Sequence, residues 1–419
     1  MNKETLKNGL RIVTKHLANT QAVTVLILTG AGSRYETKKL NGISHFLEHM
    51  FFKGAKKYKS AKDVSGAIDG VGGDFNAFTG KEYVGYYVKL AVHHRDTAMD
   101  VLADMLIHSR FDQHEIDKER GVIMEEYNMY QDTPMYQVGW DFERLIYGDQ
   151  PMGWDQVGTK ELINTVTRED FVAYKKALYT PENIVVSVAG NISHDDVVAQ
   201  VKKYFKFESG TKAYHHDLLQ PNTSKERVFL QHKKTEQAHV VVGYPAYAES
   251  HKDHYVEKVL AVILGGNMSS RMFLAVREAK GLSYYIQTST DDYTDSGIIS
   301  TRAGVDVKRI KLAITAIVEE YKKIRGEKVP AAELTKAKEY LKGKLVLRLE
   351  DSEEYAHLIG KNELLYGEAK TPEHIMAQID KVTAADVARV SQDLFRPENL
   401  RLAAIGPYEN KAEFEELLK

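Results

Sequence analysis

Two histidines and a glutamate lie close together near the start of the chain, in the run SHFLEHMFFKG that begins at residue 44. His45 and His49 are four residues apart, so on a helix their imidazoles project from one face and can reach one metal ion. Glu48 lies on the same side, beside such an ion. The chain contains no cysteine, so a metal would have to be held by His, Asp or Glu. Two histidines and a carboxylate suit Zn²⁺, which binds imidazole readily and activates water.

The chain has 16 histidines, so two of them at helical spacing could also occur by chance and be structural. The order H-x-x-E-H is more restrictive, because it is the inverse of the HExxH zinc motif. A third ligand should come from elsewhere in the chain. Glu119 and Glu126 are seven residues apart and share one face of a predicted helix, whereas Glu125 points elsewhere. Without the first motif, such a pair of acids would indicate only a solvated helix surface.

The elements that must position these residues are helices and strands without regular alternation. The apolar residues Leu47, Met50 and Phe51 would bury the helix that carries the histidines, and Gly54 would end it. Asn8-Gly9 between two apolar runs predicts a hairpin. Helices are predicted at 43–53, 61–69, 101–109, 117–130 and 308–323. This mixture favours an α+β fold built from sandwich domains, each a mostly antiparallel sheet packed with helices.

An internal repeat divides the chain. Residues 167–190 (TREDFVAYKKALYTPENIVVSVAG) align without a gap with residues 383–406 (TAADVARVSQDLFRPENLRLAAIG). Each copy predicts a helix with a Thr cap, a turn at Pro-Glu-Asn and a short apolar strand that ends at Gly. The chain is therefore interpreted as two copies of one domain, at 1–212 and 213–419, with the junction in 209–224. The second copy has no metal-ligating residue near Ala261, where the first has its histidines.

Composition excludes several classes of protein. The chain has 419 residues, 57 Lys and Arg against 59 Asp and Glu, and a formal net charge of −2. That balance gives no electrostatic reason to expect nucleic acid or an anionic membrane as a partner. No segment has the length of a signal peptide or of a transmembrane helix, so a cytoplasmic location is predicted.

The residues carry a resemblance to a known family. The run His45-x-x-Glu48-His49, followed by Glu126, resembles the pitrilysin/insulinase family of inverted-motif zinc peptidases. In that family a ligand Glu lies 77 positions after the second His, and a further Glu precedes it by seven, which here is Glu119 (126 − 49 = 77). The runs GSRYE at 32–36 and FKG at 52–54 are also typical of the family.

The resemblance implies a role for each residue of the motif. His45, His49 and Glu126 would bind one Zn²⁺ per chain and leave a position for water. Glu48 would be the general base that takes the proton from that water during attack on a peptide carbonyl. Glu119 would lie behind the ligands and orient a histidine through its other nitrogen. The implied activity is that of a zinc metalloendopeptidase.

Substrate-binding residues follow from the same resemblance. Residues 75–79 predict a strand, which by sequence alone is part of a plain hairpin; the resemblance makes it an exposed edge beside the metal. Phe75, Asn76 and Ala77 would contact a peptide that adds to this edge through its main chain. Arg277 and Tyr284, in R-E-x-x-G-L-x-Y, resemble a pair that the family uses to hold substrate opposite the zinc. Without the family, they would be a surface ion pair and a half-buried ring.

The length predicts a pair of chains. Long family members hold four such domains in one chain that closes into a chamber, and the short branch, which includes mitochondrial processing peptidases, pairs two chains. This chain carries both the zinc-binding residues and the Arg277/Tyr284 pair, so a homodimer is expected in which Arg277 and Tyr284 act at the partner's zinc. Two alternatives stay open: a non-catalytic assembly subunit, like the core subunits of the cytochrome bc complex, and a zinc hydrolase that acts on something other than peptides.

Overall fold

The computed structural model describes residues 1–208, 210–212 and 215–419. Its strands, numbered in chain order, are β1 Asn2–Thr5, β2 Arg11–His16, β3 Ala22–Thr29, β4 Asp74–Thr79, β5 Val84–Ala91, β6 Ile184–Gly190, β7 Val228–His232, β8 Gln237–Ala246, β9 Ser283–Asp292, β10 Gly297–Asp306 and β11 Arg401–Gly406. Its α-helices are α1 Ile43–Phe51, α2 Ala61–Asp69, α3 Arg95–His108, α4 Gln113–Asp132, α5 Pro134–Tyr147, α6 Lys160–Thr165, α7 Arg168–Leu178, α8 His194–Tyr204, α9 His254–Gly265, α10 Ile310–Gly326, α11 Ala331–Arg348, α12 Ser352–Tyr366, α13 Pro372–Lys381, α14 Ala384–Leu394 and α15 Lys411–Glu415.

The strands form two sheets of similar topology. The first has the order β1-β2-β6-β3-β5-β4 and the second the order β7-β11-β8-β10-β9. Neighbouring strands are antiparallel except for β2 with β6 and β11 with β7, which are parallel. At one edge of the first sheet lies β4, and at one edge of the second lies β9. The predicted α+β fold, with two mostly antiparallel sheets packed by helices, is confirmed.

The repeat in the sequence is a repeat in the structure. Helices α7 and α14 both have 11 residues, and each begins after a threonine that accepts the backbone N–H of an aspartate three residues on, while that aspartate accepts the threonine's own N–H. Both helices are followed by a 3-10 turn at Pro-Glu-Asn, and then by β6 or β11. Such a reciprocal cap satisfies two of the backbone donors that a helix start leaves unpaired, so the motif fixes where each helix begins.

The chain folds into two compact units that are not contiguous in sequence. One contains residues 1–127, 155–217 and 346–371; the other contains 128–154, 218–345 and 372–419. Helix α12, from the second repeat, therefore belongs to the first unit, and α5, from the first repeat, belongs to the second. The predicted boundary between residues 212 and 213 separates the two sequence repeats and not these two compact units, and it stays a prediction. Residues 209, 213 and 214 of the predicted junction lie outside the described residues.

In the first unit, helices cover both faces of the sheet. The larger core lies on the face that carries α1, α3 and α7, and it includes Val25, Ile27 and Phe46. On the other face, α12 packs Ala356 and Ile359 against the strands. Gly360 permits this approach, because a Cβ there would lie 2.7 Å from Leu28 Cδ1. A larger side chain at position 360 would push α12 away from the sheet.

In the second unit, α5 packs on β11 and β8, while α9, α10 and α14 cover the other face. The charged neighbours Lys252 and Asp253 predict a solvated surface for His251 and His254; for His254 this prediction is wrong. His254 is buried at the start of α9, with Nδ1 3.8 Å from Asp292 Oδ1. The apolar residues that follow it fold α9 onto the sheet, and they bury this first turn as well. Among the described residues, no helix combines the length and apolarity that a bilayer crossing requires.

Glu257 on α9 makes the stability of this unit depend on pH. Its side chain is fully buried and accepts the Tyr247 N–H at 3.2 Å; burial and the nearby Asp292 raise its pKa from 4.5 to about 8. Because the folded pKa is raised, the stability that Glu257 contributes is complete below about pH 4.5 and is lost as the pH rises through about 8. We expect the melting temperature to fall between about pH 5 and about pH 9, and to fall less for Glu257→Gln, which keeps the acceptor. Equal pH profiles for the two proteins would contradict this assignment.

Candidate metal centre

Helix α1 carries three of the predicted site residues and is fixed by its apolar face. Phe46, Leu47 and Met50 are at most 1 % exposed, so the helix is locked to the core on one side. His45, Glu48 and His49 project from the other side, as their spacing requires. Because the core fixes the backbone of α1, the positions of its polar side chains are set before any ligand binds.

The start of α1 is held by a buried carboxylate. Glu36 Oε2 accepts the Gly42 N–H at 2.7 Å, and Glu36 Oε1 accepts the Ser44 N–H at 2.9 Å. Asn41 Nδ2 donates to Oε2 at 3.0 Å. Burial raises the pKa of Glu36, and these hydrogen bonds oppose the rise. The carboxylate thus satisfies backbone donors that the helix start would otherwise leave unpaired, in a place that water does not reach.

Helix α4 brings Glu119 and Glu126 to the same place. The two residues are two turns apart, so both face α1, while Glu125 is exposed. Arg120 fixes the helix from its other side, because its guanidinium donates to the carbonyl oxygens of Ile163 and Val166, both at 2.5 Å.

His45, His49 and Glu126 converge on one point. His45 Nε2 lies 3.5 Å from Glu126 Oε1, and His49 Nε2 lies 3.4 Å from Glu126 Oε2. The three ligand atoms all lie within 4.8 Å of one another, and no other such group of His, Asp and Glu occurs in the described part of the chain. Atoms bound tetrahedrally to one zinc ion at about 2.0–2.1 Å lie about 3.3 Å apart. The donor set and its spacing therefore fit zinc.

Glu119 and Lys53 determine which nitrogen of His49 faces that point. His49 Nδ1 lies 2.8 Å from Glu119 Oε1, and Lys53 Nζ lies 2.5 Å from Glu119 Oε2. A carboxylate accepts a proton donor, so Nδ1 carries the hydrogen and Nε2 is left for a metal. Burial acts to raise the pKa of Glu119, but the bonds from His49 and Lys53 lower it overall. Burial likewise acts to lower the pKa of His49, but its bonds to Glu119 and Glu126 raise it to about 9 in the metal-free protein.

Glu48 lies beside the three converging groups with a different environment. Thr79 on β4 donates its hydroxyl to Glu48 Oε2. Burial raises the pKa of Glu48, and this effect exceeds the opposing effects of Thr79 and the two histidines. A carboxylate whose pKa is raised toward neutral is a better proton acceptor at working pH than an exposed one. Its single hydroxyl partner leaves the other oxygen open to a water molecule.

The predicted substrate residues lie on β4, an edge strand that pairs with β5 on one side. The Phe75 ring packs against the Phe52 ring in a tilted arrangement, with 5.9 Å between the ring centroids, while Asn76 is exposed. The Ala77 N–H donates to Asn76 Oδ1 at 2.9 Å rather than to β5, so the Ala77 backbone faces the open edge. Since antiparallel pairing alternates, the backbones of Phe75 and Thr79 face the same way.

Arg277 and Tyr284 belong to the second unit, whereas the metal residues belong to the first. Arg277 lies on a π-helical turn at Phe273–Glu278, with its guanidinium 4.7 Å from the Phe273 ring. Within the described residues it forms no ion pair. Tyr284 is near the start of β9, the edge strand of the second sheet, and is 78 % exposed. Without the family resemblance, the sequence would favour a surface ion pair for Arg277 and a half-buried ring for Tyr284. The part of the chain that the structure describes shows neither.

Three residues that support the site were not given a role by the sequence. Glu36 and Lys53 stand in runs that are typical of the family, and Thr79 follows the substrate residues. Lys53 is four residues after His49, a spacing that would place both side chains on one face of the predicted helix 43–53, although α1 itself ends at Phe51. Glu36 and Thr79 act across folded loops, and nothing in local spacing indicates their partners.

Glu119→Gln is expected to weaken zinc binding by about 10–100-fold, because the amide no longer holds the His49 Nδ1–H and leaves Lys53 without its carboxylate. Competition with a metallochromic chelator measures the affinity directly. Glu125→Gln is the matched control, since Glu125 is exposed on the same helix. An unchanged zinc affinity in Glu119→Gln would show that Glu119 does not orient the ligand.

Known families and proteins resemble this chain over most of its length. The family model described as insulinase (peptidase family M16) matches residues 11–145, and the model described as the peptidase M16 inactive domain matches residues 165–341. An uncharacterized zinc protease of Bacillus subtilis is 39 % identical over 97 % of this chain and 98 % of its own length. An uncharacterized zinc protease of Streptomyces coelicolor is 37 % identical over 98 % of this chain and 90 % of its own.

The chain belongs to the insulinase (peptidase M16) family, and it is a two-domain member of that family. The fold is shared with a protease from Helicobacter pylori, whose crystal structure superposes with a TM-score of 0.89 at 24 % identity and covers 97 % of this chain and 99 % of that one.

Proposed function

We propose that the protein is a zinc-dependent endopeptidase that hydrolyses peptides or unfolded segments. The observation that carries this proposal is the convergence of three ligand atoms beside a fourth, non-ligating carboxylate, Glu48. The names of the relatives support a zinc protease. The mechanism below is our inference from the geometry.

His45, His49 and Glu126 would hold one zinc ion per chain. When bound there, the ion supplies Lewis acidity, which polarises a carbonyl and lowers the pKa of water. Glu48 takes the proton from the attacking water, and its raised pKa suits it to pass that proton to the leaving amine. Thr79 keeps one oxygen of Glu48 occupied, so the other oxygen is oriented toward the reacting groups. Glu119 acts through His49 and does not touch the substrate.

The substrate in this proposal is an extended peptide that pairs with β4. The outward backbone groups at Phe75, Ala77 and Thr79 give it a ladder of main-chain hydrogen bonds, which recognises backbone more than sequence. The ladder ends at Thr79, which touches Glu48, so the paired peptide is delivered to the catalytic carboxylate. This edge favours a peptidase over a zinc hydrolase that acts on something other than peptides.

The active form in this proposal is a homodimer that encloses a chamber, in which Arg277 and Tyr284 act at the partner's zinc. Mixing Glu48→Gln chains with Arg277→Ala chains tests this arrangement. Each homodimer is inactive, but a mixed dimer has one complete site, so random exchange should restore about a quarter of the wild-type activity. No recovery in a mixture proven to exchange subunits, or a stable monomer in size-exclusion chromatography, would exclude it.

A non-catalytic assembly subunit is the second candidate. Loss of a metal ligand or of the general base would support this candidate. The residues proposed for these roles, however, are all present and lie together: His45, Glu48, His49 and Glu126. A single experiment separates the two: zinc content by elemental analysis, combined with chelator-sensitive cleavage of an unstructured peptide and a folded protein as the control. One zinc per chain and cleavage of the peptide alone are expected. Absence of metal and of cleavage would favour the assembly role. A cytoplasmic location also stays a prediction, which cell fractionation would test.

A further inference from the structure

A cavity lies in the first unit on the face of the sheet opposite α1. It has a volume of about 200 Å³ and is formed between the sheet and α12. We call it the Glu353 pocket. It is lined by Leu26, Phe78, Tyr87, Arg348, Glu353, Glu354 and His357.

The alternation of β4 connects this pocket to the peptide edge. Thr79 points toward α1, since it reaches Glu48, so Phe78 points to the opposite face. Phe78 forms one wall of the pocket, and it lies on the strand that has no neighbour on its outer side. In a peptide paired with β4, every second side chain faces this side of the sheet. Those side chains would pass over the Glu353 pocket, while the others face the metal.

The charged groups of the pocket are unequally paired. Arg348 is occupied by an ion pair with Glu354. Lys89, which does not line the pocket, pairs with Asp351 at 2.7 Å. Glu353 accepts a hydrogen bond from the Tyr87 hydroxyl but forms no ion pair with any residue that the structure describes. Glu353 is therefore left without a cation in direct contact, although Lys89, which pairs with Asp351, acts on it electrostatically and opposes the rise of its pKa.

The surroundings of Glu353 are partly buried and contain further carboxylates. Burial is the main cause that raises the pKa of both Glu353 and Tyr87, the latter to about 12, and the nearby carboxylates of Glu353, Asp74 and Asp351 add to the rise at Tyr87. A negative potential of this kind attracts positive charge. Phe78 and His357 add ring faces, with their centroids 5.5 Å apart, against which a long aliphatic stem or a guanidinium can pack.

We propose that the Glu353 pocket is a specificity subsite that receives a lysine or arginine side chain of the peptide bound along β4. This inference rests on the proposed peptidase function. It assigns to Glu353 the role of the counter-ion, to Tyr87 the role of holding its carboxylate, and to Phe78 the role of the apolar wall. A peptide with a basic residue at the matching position is bound more tightly than one with a neutral residue of similar length.

The test is a set of unstructured peptides that differ at one position at a time, with Arg, Lys, norleucine or Glu. At one peptide position, kcat/KM for Arg and Lys should exceed that for norleucine by about tenfold. Because side chains alternate along a strand, any further position with this preference should lie two residues away. In Glu353→Gln the ratio should fall to about one, and in Glu353→Lys the Glu peptide should exceed the Arg peptide. Glu368→Gln is the matched control, because Glu368 is exposed in the same unit outside the pocket.

Binding separates this proposal from the proposed reaction. The same peptides, labelled with a fluorophore, are titrated against the Glu48→Gln protein, in which the catalytic carboxylate is removed and the pocket is intact. Tighter binding of the basic peptides that is lost in Glu48→Gln/Glu353→Gln supports the subsite, even if no protein cleaves any peptide. Equal binding of Arg and norleucine peptides, or a preference for norleucine in both proteins, overturns the subsite, even if cleavage is observed.

Discussion

Glu48→Gln is expected to lower kcat for peptide cleavage by about 10²–10⁴-fold while the protein keeps its zinc. Glutamine has almost the same shape as glutamate and can still accept the Thr79 hydroxyl, but it cannot take a proton from water. The three ligand atoms of His45, His49 and Glu126 are untouched, so the metal site persists. The measurement is kcat on an unstructured peptide, together with zinc per chain by elemental analysis on the same sample.

The control for this variant is Glu125→Gln, which makes the same chemical change at an exposed position of α4 and should leave both quantities as in the wild type. Full activity in Glu48→Gln would show that another group is the base. Loss of zinc from Glu48→Gln would show instead that Glu48 contributes to metal binding.

Glu36→Ala is expected to cause the largest loss of stability among single substitutions near the site. The change removes the acceptor of the Gly42 N–H, the Ser44 N–H and the Asn41 amide, in a place without access to water. Each buried donor left unpaired costs about 1–3 kcal/mol, so the free energy of unfolding should fall by at least about 3 kcal/mol. Since these donors fix the start of α1, zinc affinity should fall with it.

Urea denaturation and chelator competition measure the two effects of Glu36→Ala. Glu36→Gln should lie between the variant and the wild type, because its carbonyl can accept only from one side while its NH₂ faces a donor. Glu169→Ala, an exposed glutamate of the same unit, serves as the control. A loss below about 1 kcal/mol in Glu36→Ala would mean that water replaces the carboxylate and that the cap does not hold α1.

The spacing within each pair of candidate metal residues could be anticipated from the sequence because it is local, whereas the meeting of the two pairs could be expected only from the family resemblance. The spacing of His45 and His49, and that of Glu119 and Glu126, are properties of a single helix, and a helix converts sequence distance directly into direction. The repeat likewise marked two helix starts through Thr167 and Thr383. The fold class followed from these signals, and the comparisons and the structure confirm it.

The supporting contacts could not be anticipated in the same way. Glu36 reaches Gly42 and Ser44 through a loop whose path depends on the packed core, and Thr79 meets Glu48 only after β4 has joined its sheet. The charged residues beside His254 in the sequence predict a surface position, which the structure contradicts. Burial of α9, which no local pattern around residue 254 indicates, decides its environment.

The exchange of helices between the two units has a consequence for synthesis on the ribosome. The face of the first sheet opposite α1 carries Leu26, Leu28 and Val185. It is covered by α12, which ends at residue 366. That apolar face stays bare until nearly nine tenths of the chain has been made, so the first half cannot finish folding as it emerges. Such a nascent chain exposes an apolar surface for most of the time that its translation takes. We expect chaperones at the ribosomal exit tunnel to bind it.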